Sequence, residues 1–209
     1  MCGRYSLSRP VDELAGFFEA HLAPGLAEAY QPSYNIAPTR SVVGLAAAAH
    51  HRRVLSLYRW GFGPRQFNTR SEGVTEVTHR MAVLADGFYE WRDGQPLFFR
   101  RADGAPLALA GLWATGAEDR MCTILTTAAG PDLEGVHSRM PVILEARLLA
   151  AWLDPGHLDR PHAKAIFRPA PGGVLVRHLV DPRVGDVRND SPTLVAAYQP
   201  PEPPLRLFG

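Results

Sequence analysis

The chain has 209 residues, 46% of them hydrophobic and 21% charged, and a net charge of +1. This suits one large soluble domain or two small ones with a real core, and it excludes a global basic field that would recruit nucleic acid, so any such contact must come from a local patch. Two cysteines, Cys2 and Cys122, permit at most one disulfide, no leader-like segment opens the chain, and no apolar run approaches the ~18 residues of a membrane span, so a reducing, cytoplasmic setting without a membrane partner is expected.

Residues 2–7 read as a short strand. Ser8, Pro10, Asp12 and Glu13 resemble a helix start, and Val11, Leu14, Phe17, Phe18 and Leu22 recur at helical spacing, predicting one amphipathic helix over 11–22 that Pro24-Gly25 stops. From 41 to 127 the signals are strands and turns. "SVVGLAAAA" and "RRVLSLYRW" flank "HHR" as a hairpin. "MAVLA", "FYEWR", "PLFFR", "LALAGLW" and "MCTILTT" follow, separated by Asp86-Gly87, Asp93-Gly94 and Asp103-Gly104. Asp-Gly between apolar runs is a strong turn signal. A second helix is predicted over 145–153, and a late strand in "GVLVRHLV". The tail, 198–209, is proline-rich and reads as extended. The expectation is an α+β class: one domain over 1–197, mainly antiparallel β in a barrel-like sheet with a few flanking helices.

Four stretches place polar groups in company that raises a chemical question. "MCGRY" holds Cys2 and Arg4, which share a face if the segment is extended. Should Met1 be removed, Cys2 carries a free α-amine and a thiol on adjacent carbons; otherwise it is simply a strand that begins with Cys. "WGFGPRQFNTR" holds Asn68 and Arg70, where Asn68 serves either to orient a substrate or to make an ordinary turn bond. "ADGFYEWR" holds Glu90 between Tyr89 and Trp91: a carboxylate with a raised pKa, or a solvent-facing Glu in an alternating strand. "VHSRMPVIL" holds His137 and Arg139, with His137 either a structural residue or a proton shuttle. The cysteines and histidines lack zinc-like spacing, no phosphate-binding glycine motif is present, and Cys122 reads as core; no metal or cofactor is expected.

Taken together, "MCGRY", "YNIAPT", "RWGFGP", "FNTR", "LADGFYEW", "LTTAAG", "VHSRMPVIL" and "VGDVRND" resemble the SRAP family, named for SOS response-associated peptidase, in the family's order and over nearly the whole chain. The resemblance implies a protein that cross-links to abasic sites in single-stranded DNA. It implies that Cys2 is the nucleophile, that Asn68 helps hold the reacting sugar, and that Glu90 and His137 form the acid/base pair. It implies DNA contacts from Arg4, Arg70 and Arg139, with Trp91, Pro38 and Thr127 along the strand's path. The segment between "FNTRSEG" and "MAVLADG" is shorter than the family's, so Arg80 is expected to supply missing positive charge, while Phe62, Phe67 and Trp91 are candidates to stack bases. The expected partner is single-stranded DNA, met by a monomer in the cytoplasm at the nucleoid.

An N-terminal Cys suits this chemistry because its amine makes a Schiff base with the sugar aldehyde and its thiol then closes a thiazolidine ring. An α-amine titrates near 8 and a lysine near 10.4, so roughly 300 times more of the former is free base at neutral pH. The single lysine, Lys164, lies in an unremarked "PHAKAIF". Two other readings use the same residues. One is a thiol peptidase or autoprocessing hydrolase built on Cys2, His137 and Glu90. The other is a non-covalent single-strand-binding module.

Overall fold

Apolar runs between residues 41 and 128 pair into a sheet that closes on itself. The computed structural model describes residues 2–63, 66–74, 77–116, 119–156 and 158–200. In chain order the elements are β1 (Tyr5–Leu7), α1 (Val11–Phe18), β2 (Ala20–Leu22), α2 (Leu26–Ala29), β3 (Ser33–Ile36), β4 (Ser41–Ala47) and β5 (Arg53–Trp60). Then come β6 (Asn68–Arg70), β7 (Arg80–Ala85), β8 (Gly87–Arg92), β9 (Gln95–Arg101), β10 (Leu107–Thr115) and β11 (Arg120–Ala128). The chain ends with β12 (Arg139–Pro141), α3 (Ala146–Leu153), α4 (Arg160–Ile166) and β13 (Leu175–Leu179).

Antiparallel pairs run β11–β10–β7–β4–β5, and a parallel pairing of Met121 with Arg59 and Cys122 with Trp60 joins β5 back to β11. Closure removes the open sheet edges between these five strands. β2, β6 and β12 attach to the ring at β5 and β11. A second sheet, β13-β9-β8-β1-β3, packs against it. Leu45, Leu55, Trp60, Met81 and Leu109 fill the shared core, and Tyr5 meets Trp60 at 5.3 Å between ring centroids. The fold is the α+β, barrel-like, mainly antiparallel architecture expected, and the hairpin of β4 and β5, the helix α3 and the late strand β13 fall where the sequence places them.

Several local expectations fail for non-local reasons. α1 ends at Phe18; Glu19 turns left-handed (φ 51°), and Ala20–Leu22 become a strand parallel to β5. The apolar periodicity runs on to Leu22, but the open backbone of Arg53–Leu55 offers that segment a ladder that a further helical turn would forgo. Of the three Asp-Gly pairs, Asp93-Gly94 (φ 51° and 79°) makes the hairpin joining β8 to β9. Asp86-Gly87 and Asp103-Gly104 instead mark crossings between the two sheets. Asp86 fixes its crossing by accepting from Ser8 N (2.6 Å), Ser8 Oγ (2.8 Å) and Arg9 Nε (3.1 Å). A Cβ on Gly87 would lie 2.4 Å from the Phe99 carbonyl, so the strand beside it leaves room for hydrogen alone.

The second sheet is covered on both faces. Phe88 and Phe99 point to the barrel, while Tyr89 and Phe98 form a second small core with Val180, Val184 and Leu194 from the C-terminal loops. Of the tail, residues 201–209 lie outside the described residues.

Candidate active site

The site grows from the pairing of β1 with β8. Tyr5 faces Phe88, and one residue further the amide of Tyr89 donates to the Arg4 carbonyl at 2.9 Å. Antiparallel continuation carries Cys2 and Gly3 alongside Glu90. Cys2 is fully buried. Burial, and after it the negative charge of Glu90, push its thiol pKa up; the amino terminus and a backbone hydrogen bond at Arg4 act in the opposite sense. The thiol is therefore neutral as it stands.

Glu90 is 4% exposed, because both faces of its strand are covered, so the solvent-facing alternative does not hold. Burial raises its carboxyl pKa, and the amino terminus and His137 oppose that shift. A carboxyl titrating above its ordinary range suits proton exchange closer to neutrality. His137 lies in the loop before β12. Its Nδ1 lies 2.9 Å from the backbone nitrogen of Arg139. The same Nδ1 lies 3.1 Å from the Arg139 carbonyl, so the ring's tautomer follows from which of the two bonds it makes.

Asn68 is brought in from the barrel side by β6, which pairs parallel with β11 through Asn68 and Ile124. Its Nδ2 donates to the Cys2 carbonyl at 2.7 Å. Its Oδ1 is buried and has no hydrogen-bond partner among the described residues. The bond therefore ties a barrel strand to the first residues of the second sheet, beyond the local turn bond that the sequence alone allowed.

The remaining predicted residues divide. Arg70 is exposed on β6 opposite Thr126. Thr127 is buried on β11 and lines a cavity of about 420 Å³ with Ser71, Glu72, Val74, Val77 and Phe167. Arg4 is half-buried, and its Nη1 donates to Asn35 Oδ1 (2.8 Å) and the Val184 carbonyl (2.7 Å). Arg139 makes a bidentate ion pair with Glu72, both bonds 2.9 Å. Pro38 lies half-exposed in the turn between β3 and β4. Trp91 is half-buried against the second small core, on the face of β8 opposite Glu90. Phe67 packs edge-on to Trp60, and its carbonyl accepts from Trp60 Nε1 at 2.8 Å.

Arg80 is a correction. Its guanidinium donates to the carbonyls of Val77 (2.7 Å), Trp152 (2.7 Å) and Gly156 (2.8 Å), and also to that of Asp154. It closes the end of α3, and these donors are not offered to a strand of DNA. Two residues escaped the sequence reading. Asn35, inside "YNIAPT", sends Nδ2 to the carbonyls of Val184, Asp186 and Asn189 and so locks that motif to "VGDVRND". Glu72 stood in the quoted "NTRSEG" without a role, because nothing local announces that its partner is sixty-seven residues away.

A closed barrel and a second sheet thus bring a buried cysteine, a raised carboxyl, an imidazole and an amide together at one place, the makings of an active site. The chain matches the SOS response associated peptidase (SRAP) family over residues 1–187 and belongs to that family. It is 30% identical to the abasic site processing protein YoaM of Bacillus subtilis, over 94% of this chain and 98% of the relative. It is 27% identical to the abasic site processing protein YedK of Escherichia coli, over 93% and 99%. Among solved structures, a Bordetella bronchiseptica protein matches with a TM-score of 0.72 at 26% identity, over 86% of this chain and all of the other. A Bacteroides thetaiotaomicron protein matches with 0.81 at 18% identity, over 95% and 100%, which is a likeness of fold.

Proposed function

We propose that the protein captures abasic sites in single-stranded DNA as a covalent adduct on Cys2, once loss of Met1 has freed the α-amine. The observation that carries this reading is the meeting at Cys2: its carbonyl held by Asn68 at 2.7 Å, its thiol buried, and Glu90 near enough for its charge to act on that thiol. The names of the relatives, abasic site processing proteins, supply the substrate class.

The chemistry balances without an added reagent. Glu90, as carboxylate, takes a proton from the α-ammonium. The amine attacks the aldehyde carbon of the ring-opened deoxyribose, and loss of one water leaves an imine. The thiol then adds to the imine carbon while its proton passes to the nitrogen, closing a five-membered thiazolidine. His137 donates a proton to the sugar's ring oxygen as the ring opens. The second closure is intramolecular, so it draws on a very high effective concentration. Asn68 Oδ1 is free to accept from a sugar hydroxyl. Arg4, Arg70 and Arg139 hold phosphates, and Trp91, Pro38 and Thr127 line the strand's path, so recognition rests on the backbone and on the space a missing base leaves.

The test is incubation with single-stranded DNA carrying one abasic site, read on a denaturing gel and by intact mass. Wild type is expected to lack Met1 and to add the mass of the DNA less one water. Cys2→Ala is expected to form no heat-stable adduct while binding DNA within a few-fold of wild type. A heat-stable adduct on Cys2→Ala overturns the assignment. An irremovable residue placed ahead of Cys2 abolishes amine-plus-thiol capture, whereas a thiol peptidase would survive it.

A further inference from the structure

Arg70 and Arg139 stand on the two strands that flank Thr126 of β11. Arg70 is its register partner on β6. Arg139, on β12, donates from Nε and Nη2 to Thr126 Oγ1 (both 3.2 Å) and from Nη2 to the Thr126 carbonyl (2.5 Å). Glu72, in the short turn Ser71–Gly73 that follows β6, fills the outer fork of Arg139 with both carboxylate oxygens at 2.9 Å. The Arg139 side chain is 13% exposed and that of Glu72 57%. The cation is thus built into the strand while the anion hangs from a three-residue turn in water.

A carboxylate and a phosphate offer the planar fork the same pair of oxygens at the same spacing. We infer that Arg139 and Arg70 form a phosphate seat which the free protein fills with its own carboxylate, and that a DNA phosphate enters by displacing Glu72 from Arg139. This rests on the DNA-binding reading above and adds a residue to it. Displacement is cheap because an ion pair with one exposed partner is worth little in water. Arg139 keeps its bonds to Thr126 throughout, so the seat is preformed. The Arg139 hydrogen bonds, a backbone hydrogen bond and the Arg139 charge hold the Glu72 carboxyl low, and the charge of Arg70 adds the smallest contribution in the same sense, so both cations bear on one anion. The consequence is selectivity: an internal competitor lowers affinity for any passing phosphate, and the contact forms only when the rest of the strand is seated.

The opposing possibility is that Glu72 is a prop that holds Arg139 in place and never leaves. The two are separated with single-stranded DNA containing a tetrahydrofuran abasic analogue, which does not react, by fluorescence anisotropy across a series of KCl concentrations. For Glu72→Gln the seat requires tighter binding, by roughly fivefold, because no carboxylate has to be displaced, with a salt slope within about 0.7 of wild type, since both proteins make the same phosphate contacts once bound. In an Arg139→Gln background the same substitution should leave affinity unchanged. Weaker binding of Glu72→Gln establishes the prop and overturns the seat, and the single variant decides this even if the double variant does not fold. Tighter binding that persists without Arg139 also overturns it, because the effect is then one of bulk charge. Failure of every variant and of wild type to bind the DNA overturns the proposed function together with the seat, whereas intact binding indifferent to Glu72 overturns the seat alone.

Discussion

Replacing Asn68 by Ala should separate the stability of this protein from its activity. The substitution deletes the 2.7 Å bond from Nδ2 to the Cys2 carbonyl, a net contribution of about 1 kcal/mol to folding. It also deletes Oδ1, which is buried without a partner among the described residues. Leaving such a group unsatisfied costs the native state about 1–3 kcal/mol, and that cost disappears with the side chain. The two effects oppose each other, so the unfolding free energy should change by between about 0 and +2 kcal/mol. Capture should respond very differently. Without the tether, the first residues keep their strand pairing near Tyr5 but lose the bond that aims Cys2, and misplacement by about 1 Å is worth a ~100-fold loss of rate. Urea unfolding followed by tryptophan fluorescence gives the first quantity, and a single-turnover time course at saturating abasic DNA gives the second. A loss of more than about 3 kcal/mol with an unchanged capture rate would refute the reasoning, because Asn68 would then be a structural tie and its orphaned oxygen irrelevant.

Three further outcomes follow from two named residues. In the proposed chemistry Glu90 acts as a base only when ionised, and burial raises its pKa, so the acidic limb of the capture rate should lie above the ordinary carboxylate range near ~4.3. Glu90→Gln should remove that limb and slow capture by about 10²–10⁴; an unaltered profile would assign the limb to another group. The sign for stability is opposite. The native state binds the proton more tightly than the unfolded chain, so the ionised carboxyl costs stability as pH rises from the ordinary range through the raised value, and Glu90→Gln should flatten that decline in urea titrations. Gly87→Ala should destabilise by about 1–3 kcal/mol, since the new methyl meets the Phe99 carbonyl at 2.4 Å and that atom belongs to a paired strand; a neutral result would mean β8 and β9 can spread without cost.

Much of the site was legible because its residues sit in short strands with marked composition. Cys2, Asn68, Glu90 and His137 were all named from the sequence, though only their combination with a family resemblance gave them roles. What they do was not legible one by one. Glu90 alternates with aromatics as a surface residue does, and a strand's own pattern does not say whether its polar face is covered. Arg80 and Arg139 read as free cations, yet one donates to four carbonyls around the end of α3 and the other is shared between Thr126 and Glu72. The guanidinium has five donors, and only the fold decides how many remain for a ligand.

By itself the sequence determined a mainly antiparallel α+β domain, the β4–β5 hairpin, the Asp93-Gly94 turn and the helix α3. Each of these is set by contacts within a few residues, through alternation, turn conformation and helical spacing. The tertiary structure alone decided that Ala20–Leu22 pairs as a strand, that Asp86 and Asp103 mark crossings between sheets, that β5 closes on β11, and that Asn68 meets Cys2. Those outcomes depend on which distant backbone offers an open ladder and on which faces lie against another layer, quantities that no window of neighbouring residues contains.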